Sequence, residues 1–458
     1  MSEQMKVKDN FMETEKIGKL ILRFSIPCVI AMIVSALYNI VDQIFIGRGV
    51  GYIGNAATTV GFPIIVLTQG IALFFGDGAA AYYSLKLGEK NKRDGAKAIA
   101  NMVVILAVLG ILCGIILYPL LPRLLWSFGA TETNFSYAFD YMRLIVITIP
   151  LAIFSVGMSS IIRADGSPEY AMISLIIGTV LNCILDPLFI FAFHMGIKGA
   201  AIATVIGEIV SFLLCINYFR KFKNIKLKKE DFKLDGKIIR TIMAFGLSSF
   251  VTQVAVTFIV IVSNNMIAKY GAQSVYGSDI PLSALGIVMK VNDILIGIVI
   301  GIAAGGQPIL GYNYGAKNYA RVKKAYIILV KAATVISVIA FIVFQFFPEG
   351  VVSLFGEGND LYKEFAVKSF RLFLMLCMFI GFELTTMIFF QAIGKPVKSI
   401  VLTLCKQTIF IIPLMIILPV FYGVEGVLYA GPCAEIMSVI ITFILIRSEF
   451  RKIKRVSK

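Results

Sequence analysis

The second half of this 458-residue chain repeats the first at an offset of about 227 residues. Gly88-Glu89-Lys90-Asn91 returns as Gly315-Ala316-Lys317-Asn318, and Phe128-Gly129 as Phe355-Gly356. Arg163-Ala164-Asp165-Gly166-Ser167-Pro168 returns as Gln391-Ala392-Ile393-Gly394-Lys395-Pro396. Gly196-Ile197-Lys198-Gly199 returns as Gly423-Val424-Glu425-Gly426, and Glu208-Ile209 as Glu435-Ile436. Each half carries about six apolar segments, so the repeat describes a duplicated bundle of membrane-spanning helices. In bundles built this way the ligand site lies between the halves, near the bilayer midplane.

Composition agrees. The chain is 58% apolar and 15% charged, with mean hydropathy +0.87, which excludes a soluble globular protein. Twelve stretches reach the length of a span: 20–46, 53–83, 96–121, 137–161, 168–193, 198–219, 238–267, 280–309, 320–347, 367–392, 397–421 and 425–446. Several exceed the minimum and predict tilted or extended helices. The fold class expected is therefore an all-α polytopic membrane protein of twelve transmembrane helices in two parallel six-helix repeats. Six spans per half is an even number, so both halves enter from one side. The divisions expected are a six-helix unit over 1–220, a basic linker over 221–237 and a second unit over 238–458.

The net charge of +16 raises the question of nucleic acid, but its distribution excludes that partner. Most of the 43 Lys and Arg fall in the tails and even-numbered loops, as in Lys90, Lys92 and Arg93, the run from Arg220 to Lys237, and Arg451 to Arg455. That bias predicts both tails in the cytoplasm, and the membrane expected is a bacterial inner membrane. The first sixteen or so residues are polar and lack the pattern of a cleavable signal peptide. The seven cysteines all lie in apolar spans, so no disulfide framework is expected.

Small residues recur in the second span (Gly70, Gly76, Gly78) and the eighth (Gly297, Gly301, Gly305), a spacing that lets helices approach closely. Pro27 sits inside span one and permits a bend there.

Ionisable groups inside the bilayer cost about 2.5 kcal/mol or more, and usually face a cavity or a partner. Asp42 is six residues from the outer end of span one, about 9 Å deep at 1.5 Å per residue. Asp186 on span five lies about 12 Å deep, and Thr204 on span six about 9 Å. Asn182 shares a face with Asp186, and Tyr38 and Asn39 lie beside Asp42. Two carboxylates at one depth, with amide and hydroxyl oxygens near, can share a proton or ligate a small cation such as Na⁺. A buried hydrogen-bonded network is the alternative. The acids have no counterpart in the second half, where Asp42 aligns with Ser263, and that asymmetry favours an ion site. Gln253, Thr257 and Asn264 form a polar stripe on span seven; Lys290 and Asp293 on span eight, Glu383 on span ten and Lys406 on span eleven are further candidates for the lining of a substrate cavity. Asp77, between two glycines, is expected to bond to nearby backbone. No metal-ligand cluster is present in the sequence, and no cofactor is expected.

The chain resembles the multidrug and toxic compound extrusion (MATE) transporters. The resemblance rests on Pro27 and Asp42, on Asn182-x-x-x-Asp186-Pro187, on the loop from Arg163 to Pro168 with its echo, and on the run from Gly305 through Tyr312-Asn313-Tyr314 to Ala316. It implies two six-helix lobes in a V around a central cavity. It also implies a monomer that exports amphipathic, often cationic drugs or dyes in exchange for H⁺ or Na⁺. In the branch most resembled, the coupling ion is held by residues matching Asp42, Asn182, Asp186 and Thr204, with Pro27 as the bend. A lipid-linked oligosaccharide flippase of related fold is the alternative, kept open by Lys290 and Lys406. A major-facilitator transporter is disfavoured because Leu87 to Arg93 lacks that family's loop pattern, and an enzyme because the one histidine, His194, has no catalytic companions.

Overall fold

The structure is a computed structural model and describes residues 11–277, 279–353 and 360–456. The Phe355-Gly356 member of the repeat and the first ten residues lie outside the described residues. Eleven helices are long and apolar enough to cross a membrane, and a bent pair makes up to a twelfth. In chain order these are α1 (Ile17–Gly49), α2 (Tyr52–Gly88), α3 (Lys92–Ser127), α4 (Phe135–Ala164), α5 (Pro168–Pro187, continuing as a π-helix over Leu188–Ala192) and α6 (Gly196–Asn217). The second half holds α7 (Gly236–Gly271), α8 (Asp279–Gly315), α9 (Tyr319–Phe346), α10 (Asp360–Phe373 and Cys377–Ala392, bent by 43°), α11 (Pro396–Leu404, a π-helix over Cys405–Phe410, then Ile411–Tyr422) and α12 (Val424–Val456). Several helices outrun the spans expected from hydropathy because polar turns extend them beyond the lipid.

The repeated loops recur because each ends one helix and starts the next. Lys90 and Lys317 both take positive φ, 62° and 57°, a left-handed conformation that closes a helix. The Asn91 amide then donates to Lys86 O and the Asn318 amide to Asn313 O, both at 2.9 Å. The same two asparagines cap the helices that follow, accepting from Asp94 N (3.2 Å) and Arg321 N (3.4 Å). The other repeated loop uses Gly166 (φ 89°) and Gly394 (φ 72°), followed by Pro168 and Pro396 in the first turn of the next helix.

The two lobes meet along α1 against α8 and α2 against α7. The seam is tight on the face that carries both termini and most of the cations, the basic face. A Cβ on Gly246 would stand 1.7 Å from Phe74 O, and one on Gly78 would stand 2.1 Å from Ile242 O, so only glycine lets these backbones touch. Ser25 Oγ donates across the seam to Ile302 O at 2.9 Å. Toward the far face the lobes part, and Asn39, Asn264, Lys290 and Asp293 are exposed there. The result is a V that opens away from the termini.

Two fastenings hold the basic face. Asp165 is fully buried and accepts from Tyr83 Oη (2.7 Å), Tyr218 Oη (2.8 Å) and the backbone amides of Lys223 (2.7 Å) and Asn224 (3.3 Å). Asn101, also buried, donates to Asp231 O and Lys233 O (both 3.1 Å) and accepts from the Asp235 amide (2.7 Å). The linker is thus bound along its length to the amino-terminal lobe. The amino-terminal turn Phe11–Thr14 docks on both lobes: Phe11 stacks on Phe24 of α1, while Arg321 of α9 donates to Met12 O (3.0 Å) and Glu15 O (2.7 Å). The Lys19 ammonium hydrogen-bonded to Glu15 holds that carboxyl below the usual glutamate range.

Candidate functional site

The amino-terminal lobe brings its predicted polar groups together. Asp42 of α1 is 8% exposed, Asn182 of α5 2% and Asp186 of α5 0%. The Asp42 and Asp186 carboxyls are neighbours where α1 packs on α5. Asn182 Nδ2 donates to Thr204 Oγ1 of α6 at 3.1 Å, and Thr204 donates to Ala200 O at 3.1 Å. The Tyr38 side chain lies near Thr204 and Asp42. The π-helical turn follows Asp186 directly, widening α5 where its acid meets α1.

The hydrogen-bond pattern has a gap. Asp42 Oδ1, Asn182 Oδ1 and both Asp186 carboxylate oxygens are buried without a partner. Ionised carboxylates only accept, so two in contact need a proton between them or a cation beside them. Carboxylate, amide and hydroxyl oxygens also suit a small hard cation. A closed structural network would leave no such set of orphaned acceptors in one place. Among the described residues no group of three or more His, Cys, Asp and Glu could hold a metal ion.

Two neighbours on α4 carry no sequence signal. Tyr141 is 5% exposed and lies near Thr204. Thr148 donates to Ile145 O at 3.0 Å and lies near Glu208 of α6, one turn below Thr204. Neither sits in a motif, and only the packing of α4 against α6 brings them in.

The other candidates separate into three groups. Asn39, Asn264, Lys290 and Asp293 are exposed on the helices that bound the cleft of the V. No ion pair joins Lys290 to Asp293 among the described residues. Gln253 lies on the seam, its Cβ against Gly70 of α2, and Thr257 bonds back to Gln253 O at 3.2 Å. Pro27 is buried within an unbroken α1.

Glu383 and Lys406 differ from the expectation of cavity-lining groups. Lys406 bridges the carboxylates of Glu383 of α10 and Glu435 of α12 (2.7 Å to the latter) inside the second lobe. Charges in an apolar interior pair because solvation by water is out of reach. Glu435 therefore has a different setting from its repeat mate Glu208. Replacing Lys406 by Met would leave two buried carboxylates facing each other. The thermal midpoint in detergent should fall by an amount equivalent to about 3–5 kcal/mol, and Glu435→Gln added to Lys406→Met should recover part of it. An unchanged midpoint in Lys406→Met would refute the pairing.

Asp77 departs from expectation too. Its carboxylate accepts from side chains on other helices, Ser160 Oγ (2.7 Å) and, across the seam, Ser249 Oγ of α7 (2.9 Å). Gln391 in turn donates to Ser249 Oγ at 3.1 Å. It is a lobe-bridging group on the basic face, and no backbone turn is involved.

A twelve-span bundle of two splayed lobes, with paired acids sealed inside one of them, defines a polytopic membrane protein of the two-lobed type. The family model MatE matches residues 27–188 and 249–417, and the chain belongs to the MatE family. It is 26% identical over 444 residues, 95% of either chain, to the multidrug export protein MepA of Staphylococcus aureus (strain MSSA476). Among solved structures it is 34% identical to the MATE multidrug transporter DinF-BH, with TM-score 0.88 over 95% of this chain and 96% of that one. It shares its fold, at TM-score 0.90 and 23% identity over 97% and 98% of the two chains, with the outward-facing conformation of a multidrug resistance MATE family transporter.

Proposed function

We propose that this protein is a secondary active exporter of amphipathic, mostly cationic compounds, driven by entry of H⁺ or Na⁺. The observation that carries the reading is the contact between Asp42 and Asp186, two acids from separate helices with orphaned oxygens beneath the cleft. The relatives named for multidrug export support the substrate class. The basic face is cytoplasmic, with both termini there, and the protein sits as a monomer in a bacterial inner membrane. The described form is then open to the outside.

In this form a cation in the cleft is attracted to ionised Asp42 and Asp186. A proton or Na⁺ arriving from outside neutralises the pair and removes that attraction. Asp42 then no longer repels Asp186, and α1 is free to shift against α5, bending at Pro27, whose lack of an amide donor removes a backbone hydrogen bond there. The ion drives the cycle only to the extent that it binds one conformation better than the other. The moving bodies are the units 1–220 and 238–458, tied by 221–237. For the cycle to turn inward, the Asp77–Ser249 bridge and the amino-terminal turn must release their far-lobe partners.

The test is dye movement in inverted vesicles under a pH gradient alone and then a Na⁺ gradient alone. Transport under one gradient and none under the other identifies the ion. Dye accumulation that persists with both gradients collapsed would sink ion-coupled export.

A further inference from the structure

The outer surface of α12 changes from apolar to cationic within about two turns. Ile436, Met437, Ile440, Phe443 and Ile444 are all exposed. Their spacing puts them on one stripe, and exposed apolar stripes on a spanning helix face acyl chains. Arg447, Arg451 and Arg455 continue the same stripe in steps of four, with Lys452 alongside, and all four are exposed. Together with Phe443 and Ile444 they line a groove of about 340 Å³.

The charge in this groove is not balanced. The one acid of the segment, Glu449, is fully buried on the opposite side of the helix, held by Lys395 of the α10–α11 connection and by Lys398 of α11 (2.6 Å). Among the described residues no ion pair reaches Arg447, Arg451, Lys452 or Arg455. The repeat mate of Arg447 is Arg220, where the chain leaves the helix through the turn Tyr218–Arg220 and enters the linker.

We propose that this groove binds the headgroup of an anionic phospholipid. Arginine guanidinium groups clasp the phosphodiester, Lys452 adds a further charge, and the acyl chains lie along Phe443 and Ile444. The occupant is a lipid and not a soluble phosphate because the groove opens continuously onto the acyl-facing stripe.

The test uses the full-length chain with Trp126→Phe and Phe443→Trp, which moves the sole tryptophan to the groove. The protein is placed in phosphatidylcholine bilayers containing phosphatidylglycerol, with bromine on the acyl chains of one lipid or the other. Quenching of the introduced tryptophan should show a preference for phosphatidylglycerol of roughly fivefold or more. Arg447→Gln, Arg451→Gln and Arg455→Gln together should bring that ratio near one. Lys226→Gln, Lys228→Gln and Lys229→Gln in the linker should leave it unchanged. Equal quenching by both lipids in the parent overturns the proposal. So does a preference that survives the arginine substitutions, or one that the linker substitutions abolish equally, since that would be diffuse surface charge. All six positions are exposed; should the triple arginine variant fail to elute as the parent does, Arg451→Gln alone is read against the same ratio.

Discussion

Cells that rely on this protein for drug tolerance should lose it when Asp42→Asn and Asp186→Asn are combined. Tolerance should fall to that of cells without the protein, while the amount of protein in the membrane stays near the parent level. The reason lies in the contact between the two carboxyls. Asparagine keeps the size of the side chain and can accept and donate hydrogen bonds, so packing among α1, α5 and α6 survives. It cannot take up a proton or carry the negative charge that holds Na⁺, so the ion no longer distinguishes the two conformations. Each single substitution should also reduce tolerance severely, because a lone acid lacks the neighbour whose charge makes ion uptake favourable. Parental tolerance in the double variant, with parental expression, would end the ion-site reading.

The second large effect is expected at Asp165, far from Asp42 and Asp186. Asp165→Ala removes the acceptor for two tyrosine hydroxyls and two linker amides at once. A buried donor left without a partner costs about 1–3 kcal/mol, and some of these will find water at the basic face. A net loss on the order of 3–5 kcal/mol follows, seen as a thermal midpoint in detergent lower by roughly 3–5 °C. Asp165→Asn should lose less, since one of its side-chain atoms still accepts. Limited proteolysis should cut the 221–237 stretch faster in Asp165→Ala than in the parent. If neither the midpoint nor the cleavage rate moves, the carboxylate does not fasten the linker.

Much of the architecture was legible from residue order. A 227-residue offset with matching loops demands two like bundles, and the glycines and asparagines of those loops show why they persist. Left-handed φ at Gly166 and Gly394 and helix capping by Asn91 and Asn318 are local requirements that any chain of this topology must meet. The depth of Asp42, Asp186 and Thr204 could be counted along three helices because helical rise is constant.

Other features had no local signature. Asp77 lies between glycines and is expected from sequence to bond to nearby backbone, yet its partners are 83 and 172 residues away in sequence. Glu383, Lys406 and Glu435 looked like separate polar residues on separate spans, and only the packing of α10, α11 and α12 makes them one ion-paired cluster. Tyr141 entered the site because α4 passes beside α6. Asp165 belonged to a recognised loop, but its role as anchor arises from where the linker folds back.

From residue order alone came the membrane setting, the duplication, the span count and the depth of the acids along their helices, since hydropathy and helical rise are properties of a segment by itself. Tertiary structure decided which acids touch, which charges cancel one another, where the lobes close and where the linker is held. Those outcomes depend on the azimuth of each helix and on backbone approaches such as Gly246 against Phe74, which are set by how every neighbouring surface packs and are written in no single segment.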